Sequence, residues 1–205
     1  MLKNFSELSP IALDCLKEIG NIGSGSAAAA LAQMLGRSVD IHVPKVHVLD
    51  YEQVIDVMGG PETVITGLLI SLCGDIKGMI MFLLEQSFAD IVLNTFLAKD
   101  NVELVTMDDT DKSVIQEMGN IMAGSYLQAL SQLTGLTIDM NPPSMTVDML
   151  GAIMSVPMIE FSEVADKVLF IDDGFIIEGN SINSNIILIP EMESLETLMT
   201  KLGVM

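Results

Sequence analysis

The chain has 205 residues, with 28 acidic against 9 basic side chains and a formal net charge of -19. A surface this acidic repels phosphate backbones and anionic lipid, which argues against nucleic acid or a membrane surface as a partner. Half of the residues are hydrophobic but only 4% are aromatic, so we predict an aliphatic core rich in methionine.

The cysteine spacing and the hydrophobic runs predict a cytoplasmic protein. Cys15 and Cys73 do not form a CxxC pair, and reduced thiols are the simplest interpretation. The first residues lack the apolar segment of a signal peptide. No uncharged apolar run approaches the roughly 20 residues of a membrane span, so we expect no membrane insertion.

In chain order, the first half begins with a long helix. Ser9 and Pro10 are typical of a helix N-cap and first helical position, and Gly36 is typical of the residue that ends a helix. Residues 37–50 alternate apolar and polar side chains as a strand does, with an interruption at Pro44. The rest of this half is predicted as a helix at 51–58, a hairpin of strands at 64–72 and 76–84, and a helix at 86–98.

A polar, acidic segment at 99–109 then leads into a second long helix at about 110–133. The remaining segments are predicted as strands at 137–140 and 145–147, a short helix at 149–154, strands at 168–171, 175–182 and 185–189, and a closing helix at 191–202.

The two halves repeat each other. Glu18 and Asn21 recur as Glu117 and Asn120, at an offset of 99 residues. The offset rises to 106 near the end of each half, and we place the roughly seven extra residues in the loop between residues 155 and 168. We therefore predict one domain, 1–205, built by internal duplication of halves at about 1–100 and 101–205. The expected fold is α/β, with both halves sharing a largely antiparallel central sheet on which the two long helices pack.

The repeated residues form a polar stripe on each long helix. At about 100° per residue, Asp14, Glu18 and Asn21 fall within about 60° of one another. In the second copy the stripe is Ser113, Glu117 and Asn120. The opposite faces are predicted to be buried and comprise Leu16, Ile19, Gly23, Ala27 and Met34 in one copy, and Ile115, Met118, Met122 and Leu133 in the other.

Small residues continue the first stripe. Gly25, Ala28, Ala29 and Ala32 extend the Glu and Asn face, where an ordinary solvated helix carries charged side chains. We interpret this face, with Gly25, Ala28 and Ala32 as its main residues, as a docking surface on which another protein can approach the helix backbone closely. The alternative is that the Glu and Asn residues are simply exposed polar positions.

The sequence holds no common catalytic or metal-binding motif. The glycine-rich run at 20–25 lies inside a helix rather than after a strand, so it does not fit a phosphate cradle. His42 and His47 have no metal-ligand spacing, and we predict no metal site. An Asn amide, however, can orient a water molecule for attack on an activated phosphoryl group, and an exposed Glu can hold a partner's Lys or Arg.

The doubled motif resembles the signature of CheC-type chemotaxis phosphatases, and the resemblance covers nearly the whole chain. The residues that carry it are Asp14-x3-Glu18-x2-Asn21-x22-Pro44 and Ser113-x3-Glu117-x2-Asn120-x22-Pro143. The resemblance implies a phosphatase that acts on the phospho-aspartate of the response regulator CheY. Glu18 and Glu117 would anchor a lysine of CheY, and Asn21 and Asn120 would orient the attacking water.

The resemblance also implies that the protein has no cofactor of its own, since the Mg²⁺ ion would be held by CheY. It implies the receptor deamidase CheD as a second partner, and we expect the protein itself to be a monomer. One alternative is a non-catalytic adaptor that binds CheD or flagellar switch components. A hydrolase using Glu18 and Glu117 as paired carboxylates is less favoured, because these residues lie on separate helices.

Overall fold

The structure, a computed structural model, describes residues 5–42, 44–161 and 167–204 and has the predicted α/β fold. After a short 3₁₀ turn, the first half comprises α1 (Pro10–Leu35), β1 (Val39–Ile41), β2 (Lys45–Asp50), α2 (Tyr51–Val57), β3 (Val64–Gly74), β4 (Gly78–Leu84) and α3 (Gln86–Leu97). The second half comprises α4 (Asp109–Thr134), β5 (Ile138–Met140), β6 (Ser144–Met149), α5 (Leu150–Phe161), β7 (Lys167–Ile177), β8 (Asn180–Pro190) and α6 (Met192–Lys201).

The ends of α1 are those predicted from its capping residues. The Ser9 hydroxyl oxygen accepts a hydrogen bond from the Ala12 N–H at 3.2 Å, and Pro10 occupies the first turn. Gly36 ends the helix in the left-handed conformation, at a φ of 62° that favours glycine. Local sequence alone therefore fixes the length of the first motif helix.

The start of α4 is held by three charged side chains. The carboxylates of Asp108 and Asp111 each accept a hydrogen bond from the other residue's backbone N–H, which forms a capping box. Lys99 donates to both carboxylates, at 2.8 Å and 2.6 Å. These bonds raise the pKa of Lys99, and the bond from Lys99 lowers the pKa of Asp108. The second motif helix is thereby tied to the segment that follows α3.

The two halves build one antiparallel sheet, whose strand order is β1-β7-β8-β4-β3-β5, with β2 also pairing with β7 and β6 with β3. The short strands are exchanged between the halves, because β1 and β2 pair with the hairpin of the second half and β5 and β6 with that of the first. At the centre, Met81 of β4 lies opposite Ile187 of β8. These positions differ by the offset of 106, so the pseudo-two-fold axis passes through this pair. The predicted pseudo-symmetric halves and shared sheet are confirmed; the single domain and its origin by duplication stay predictions.

Helices cover both faces of the sheet. Gly119 of α4 lies against Leu68 of β3, whereas Gly67, the preceding residue of the same strand, lies against Ile153 of α5. Because successive side chains of a strand point to opposite faces, α4 and α5 are on opposite sides. α1 packs beside α4, and α2 packs against α5. Both motif helices therefore occupy one face.

Part of the sequence-based assignment of the second half is wrong. The strands predicted at 168–171, 175–182 and 185–189 are two longer strands, β7 and β8, joined by a turn at Glu178 and Gly179. Both turn residues have positive φ, 53° and 82°, as in a type I′ hairpin. Apolar residues lead up to this turn at 175–177, but mostly polar residues follow it at 180–185, and for that reason alternation alone did not place the break at the turn.

The extra residues of the second half lie only partly where predicted, because α5 continues to Phe161 within the interval 155–168 and forms a helix there instead of a loop. α5 has 12 residues where α2 has 7, and β8 has 11 where β4 has 7. The extra length is therefore divided between a helix and a hairpin, rather than placed in one loop. Residues 162–166 of the predicted loop lie outside the described residues.

Among the helices within the described ranges, none has the length and apolarity needed to cross a bilayer.

Two glycines of α1 provide a matched test of how α1 meets α4. A β-carbon at Gly23 would overlap the ring of Tyr126, whereas one at Gly25 would meet no atom within 4 Å. We expect Gly23→Ala to lower the free energy of unfolding, because overpacking costs about 1–3 kcal/mol and exceeds the gain in helix propensity. Gly25→Ala should raise it by up to about 1 kcal/mol. Urea unfolding measures both changes, and equal effects of the two substitutions would contradict the described packing.

Candidate functional site

The polar stripes lie on the outer surfaces of α1 and α4, as predicted. Glu18 and Glu117 are exposed, and Asn21 and Asn120 are half-buried. The predicted inner residues that are buried are Leu16, Ile19, Gly23 and Ala27 in α1, and Ile115, Met118 and Met122 in α4.

The prediction fails at the far ends of these helices. Met34 is only half-buried, and Leu133 is 45% exposed. In the last turns of α4 the buried positions are Leu130 and Thr134, so Leu133 points away from the core. A projection that uses one constant angle per residue does not reproduce this shift of the buried face along a helix of 26 residues.

The second motif forms the wall of a shallow pocket of about 380 Å³. Its lining residues are Ser113, Gln116, Glu117, Asn120, Met140, Pro142 and Pro143. The structure therefore brings together all four residues that the sequence assigned to this site, although Pro143 is more than 20 positions from the others. The loop between β5 and β6 supplies the proline, and α4 supplies the three polar residues.

Gln116 is a site residue that the sequence analysis missed. Its side-chain Nε2 donates a hydrogen bond to the Pro143 carbonyl oxygen at 2.6 Å and so joins the helix to the loop. Ser113, by contrast, donates within its own helix, to the Asp109 carbonyl oxygen at 2.7 Å. Gln116 stands next to Glu117 within the motif, but the corresponding residue of the first copy is Lys17, and for this reason the repeat did not reveal it.

The first motif has a different set of contacts. Lys17 donates to Asp14 at 2.9 Å, and both side chains are largely exposed. Asn21 Oδ1 is shielded from solvent and accepts no hydrogen bond within the described part of the chain. An unpaired buried acceptor of this kind costs about 1–3 kcal/mol unless a water molecule or a partner supplies a donor. Pro44 is half-buried and immediately precedes β2, which contacts α1.

Cys15 lies between Asp14 and Glu18 in the sequence, and its thiol is free. Burial raises the pKa of this thiol, and the charge of Glu18 raises it further. Since the thiolate is the nucleophilic form, Cys15 is poorly suited to nucleophilic catalysis near neutral pH.

The docking surface predicted on α1 is wrong at one residue. Gly25 and Ala32 are half-buried, and space around Gly25 is open, but Ala28 is only 4% exposed. α1 packs on the sheet and also on α4, so its buried arc is wider than that of a helix lying on one surface. The exposed residue next to Ala28 is Ala29.

The histidines lie on either side of Pro44 in the sequence. His42 and His47 are both exposed, and the His42 backbone N–H donates to the Gly174 carbonyl oxygen at 2.9 Å. Within residues 5–42, 44–161 and 167–204, no three His, Cys, Asp or Glu side chains are grouped so that they could hold a metal ion.

The model of the CheC-like family matches residues 11–48 and 111–147, which include both motif helices and the prolines that follow them. The chain is 29% identical to the CheY-P phosphatase CheC of Bacillus subtilis (strain 168), over 97% of each protein. Over these two segments the chain is similar to the CheC-like family. A second relative, the flagellar motor switch phosphatase FliY of the same organism, is 30% identical over 67% of this chain and 36% of its own length. The fold is that of Thermotoga maritima FliY, with a TM-score of 0.76, 24% identity, and coverage of 96% of this chain and 98% of that one.

The correction at Ala28 can be tested with two neighbouring substitutions. We expect Ala28→Arg to lower the free energy of unfolding by about 3 kcal/mol or more, because it buries an unpaired charge. Ala29→Arg, which places the same side chain on the surface, should change it by no more than about 0.5 kcal/mol. Thermal unfolding followed by circular dichroism distinguishes the two. A stable Ala28→Arg variant would show that Ala28 belongs to the outer face after all.

Proposed function

We propose that this chain is a phosphatase that removes the phosphoryl group from the phospho-aspartate of CheY, with one site on α1 and one on α4. The observation that carries the proposal is the pocket that joins Glu117 and Asn120 to Pro143. The same three residue types recur at Glu18, Asn21 and Pro44. Similarity to the CheC-like family and to a CheY-P phosphatase supports the same activity.

The chain's own contribution to the reaction is small, which suits this substrate. An aspartyl phosphate is an activated acyl phosphate, so water attacks phosphorus as the bond to the aspartate oxygen breaks, releasing inorganic phosphate and a carboxylate. The leaving carboxylate needs no proton, and the barrier is lowered mainly by positioning and charge stabilisation. The Mg²⁺ ion that stabilises the phosphoryl charge would belong to CheY.

Asn21 and Asn120 are assigned to the attacking water. An amide oxygen accepts a hydrogen bond from water and the amide nitrogen donates one to a phosphoryl oxygen, so the group orients the nucleophile without acting as a base.

Glu18 and Glu117 are assigned to docking. Both are exposed one helical turn before the Asn of their motif, where a carboxylate can reach a cation on a docked protein. A Lys of CheY held by this carboxylate would place the phospho-aspartate over the Asn. Gly25 and Ala32 would let the partner approach α1 closely.

An adaptor function is the second candidate, and one observation favours it. Val156, Met158 and Ile159 of α5 are 43%, 38% and 78% exposed. Exposed apolar side chains grouped on one helix are typical of a protein contact surface. CheD or a flagellar switch component would be the partner there, and this surface is on the side of the sheet opposite the motifs. The protein itself is proposed to be a monomer when no partner is bound.

The phosphatase proposal predicts the effect of removing each amide. Asn21→Ala and Asn120→Ala should each remove the turnover of one site, and the double variant should lose at least about 100-fold while remaining folded. The measurement is phosphate release from phosphorylated CheY, with binding of CheY followed in parallel. If the double variant binds phospho-CheY and the parent releases phosphate no faster than this variant, the adaptor function replaces the phosphatase.

The docking role predicts a different effect for the carboxylates. Glu18→Lys and Glu117→Lys should each weaken binding of CheY at one site by about tenfold or more, because a positive charge then faces the partner's lysine. The loss of affinity should exceed that of the Asn→Ala variants. Glu62 is an exposed residue of a turn. Glu62→Lys makes the same change in net charge and serves as the control. Unchanged affinity after both reversals would argue against anchoring.

A further inference from the structure

The structure shows a difference between the two motif sites that the repeat conceals. In the second copy Gln116 reaches the β5–β6 loop and donates to the Pro143 carbonyl oxygen at 2.6 Å. In the first copy the corresponding residue, Lys17, donates instead to Asp14 on its own helix, at 2.9 Å. The same helical position therefore bridges to the proline loop in one site and is paired within the helix in the other.

We propose that Gln116 is a positioning residue of the second site, which holds the Pro142–Pro143 wall of the pocket against Glu117 and Asn120. This inference rests on the proposed function of that site. Gln116 is not assigned a contact with the reacting atoms. It acts through the loop, whose position decides how a docked protein meets α4.

The chemistry of the loop explains why one side-chain hydrogen bond is enough to position it. Two consecutive prolines have fixed φ and no backbone N–H groups, so this segment is stiff but can make few hydrogen bonds of its own. Pro143 is buried, and its carbonyl oxygen needs a donor. Gln116 supplies that donor from the helix that carries the motif. On the other side, the backbone N–H of Asn141 donates to the Ser71 carbonyl oxygen at 3.0 Å, which fixes the loop to the sheet.

The wall is thus held to β3 on both sides, by the pairing of Met140 with Leu72 and of Ser144 with Leu69, and to α4 by Gln116. Loss of the Gln116 bond leaves both ends of the loop on the sheet but removes the hydrogen bond that joins it to the helix of Glu117 and Asn120. Partner binding should then weaken, whereas the chemical step at a correctly docked phosphoryl group should be little changed. This pattern is the opposite of that expected for Asn120, whose loss acts on turnover.

The experiment uses the Asn21→Ala protein, in which only the second site is active. Gln116→Leu removes the donor at nearly constant volume and charge. We expect the KM for phosphorylated CheY to rise about three- to tenfold, the range for loss of one neutral hydrogen bond, with kcat within twofold of the parent. Gln116→Lys restores a donor of similar reach but adds a positive charge beside Glu117, so it is used only in the exchange measurement, where no partner is present. Gln132→Leu, an exposed glutamine of the same helix, is the matched control and should leave both constants unchanged.

Hydrogen exchange gives a readout that does not depend on activity. In Gln116→Leu the peptide that covers residues 138–145 should exchange faster than in the parent, and Gln116→Lys should restore part of its protection. A higher KM with unchanged exchange would overturn the positioning role, since Gln116 would then contact the partner directly. Unchanged KM and exchange would overturn it as well.

The experiment distinguishes a failure of the proposed function from a failure of the inference about Gln116. If the Asn21→Ala protein shows no turnover to measure, the second site is not catalytic, and the exchange data still decide whether Gln116 holds the loop. If Gln116→Leu lowers the circular dichroism signal of the folded protein, Gln116→Ala replaces it in both measurements. Altered exchange in the Gln132→Leu control would show a general loosening of α4 and would also overturn the inference.

Discussion

The pairing of β4 with β8 is the constraint on which the rest of the structure depends. Met81 and Ile187, equivalent positions of the two halves, face each other at the centre of the sheet. The short strands then cross over, so that each half completes its sheet only with the hairpin of the other. Neither motif helix would have a complete surface to pack on in an isolated half. Both are held on one face because the two hairpins share one sheet.

A regular helix is sufficient to place the polar residues of the motif on one surface. The spacing i, i+4 and i+7 places the polar residues on one side whatever the tertiary structure does, and the caps at Ser9 and Asp108 fix where each helix begins. Tertiary contacts are needed only to bring the proline loop beside the helix. The proposed chemistry suits such a site, because a partner that carries its own activated phosphoryl group and metal ion needs little more than an oriented water and a docking charge.

The two halves share a fold and a motif but do not have identical sites. Site two has a pocket wall joined to the helix by Gln116, while site one has the exposed Lys17–Asp14 pair and, among the described residues, no donor to Asn21 Oδ1. The two halves keep equivalent backbone positions, but one side-chain difference changes which groups are held together. Two sites with the same Glu and Asn can therefore differ in how rigidly they receive a partner.

The sequence by itself determined the two long helices, the hairpin of the first half and the outward position of Glu18, Asn21, Glu117 and Asn120, because caps and periodicity are local properties. Only the tertiary structure decided that Ala28 is buried, since α1 packs on a second helix as well as on the sheet. It also decided the strand exchange, which involves no local signal. The bridge from Gln116 to Pro143 joins residues 27 positions apart, and no pattern in the sequence records that distance in space.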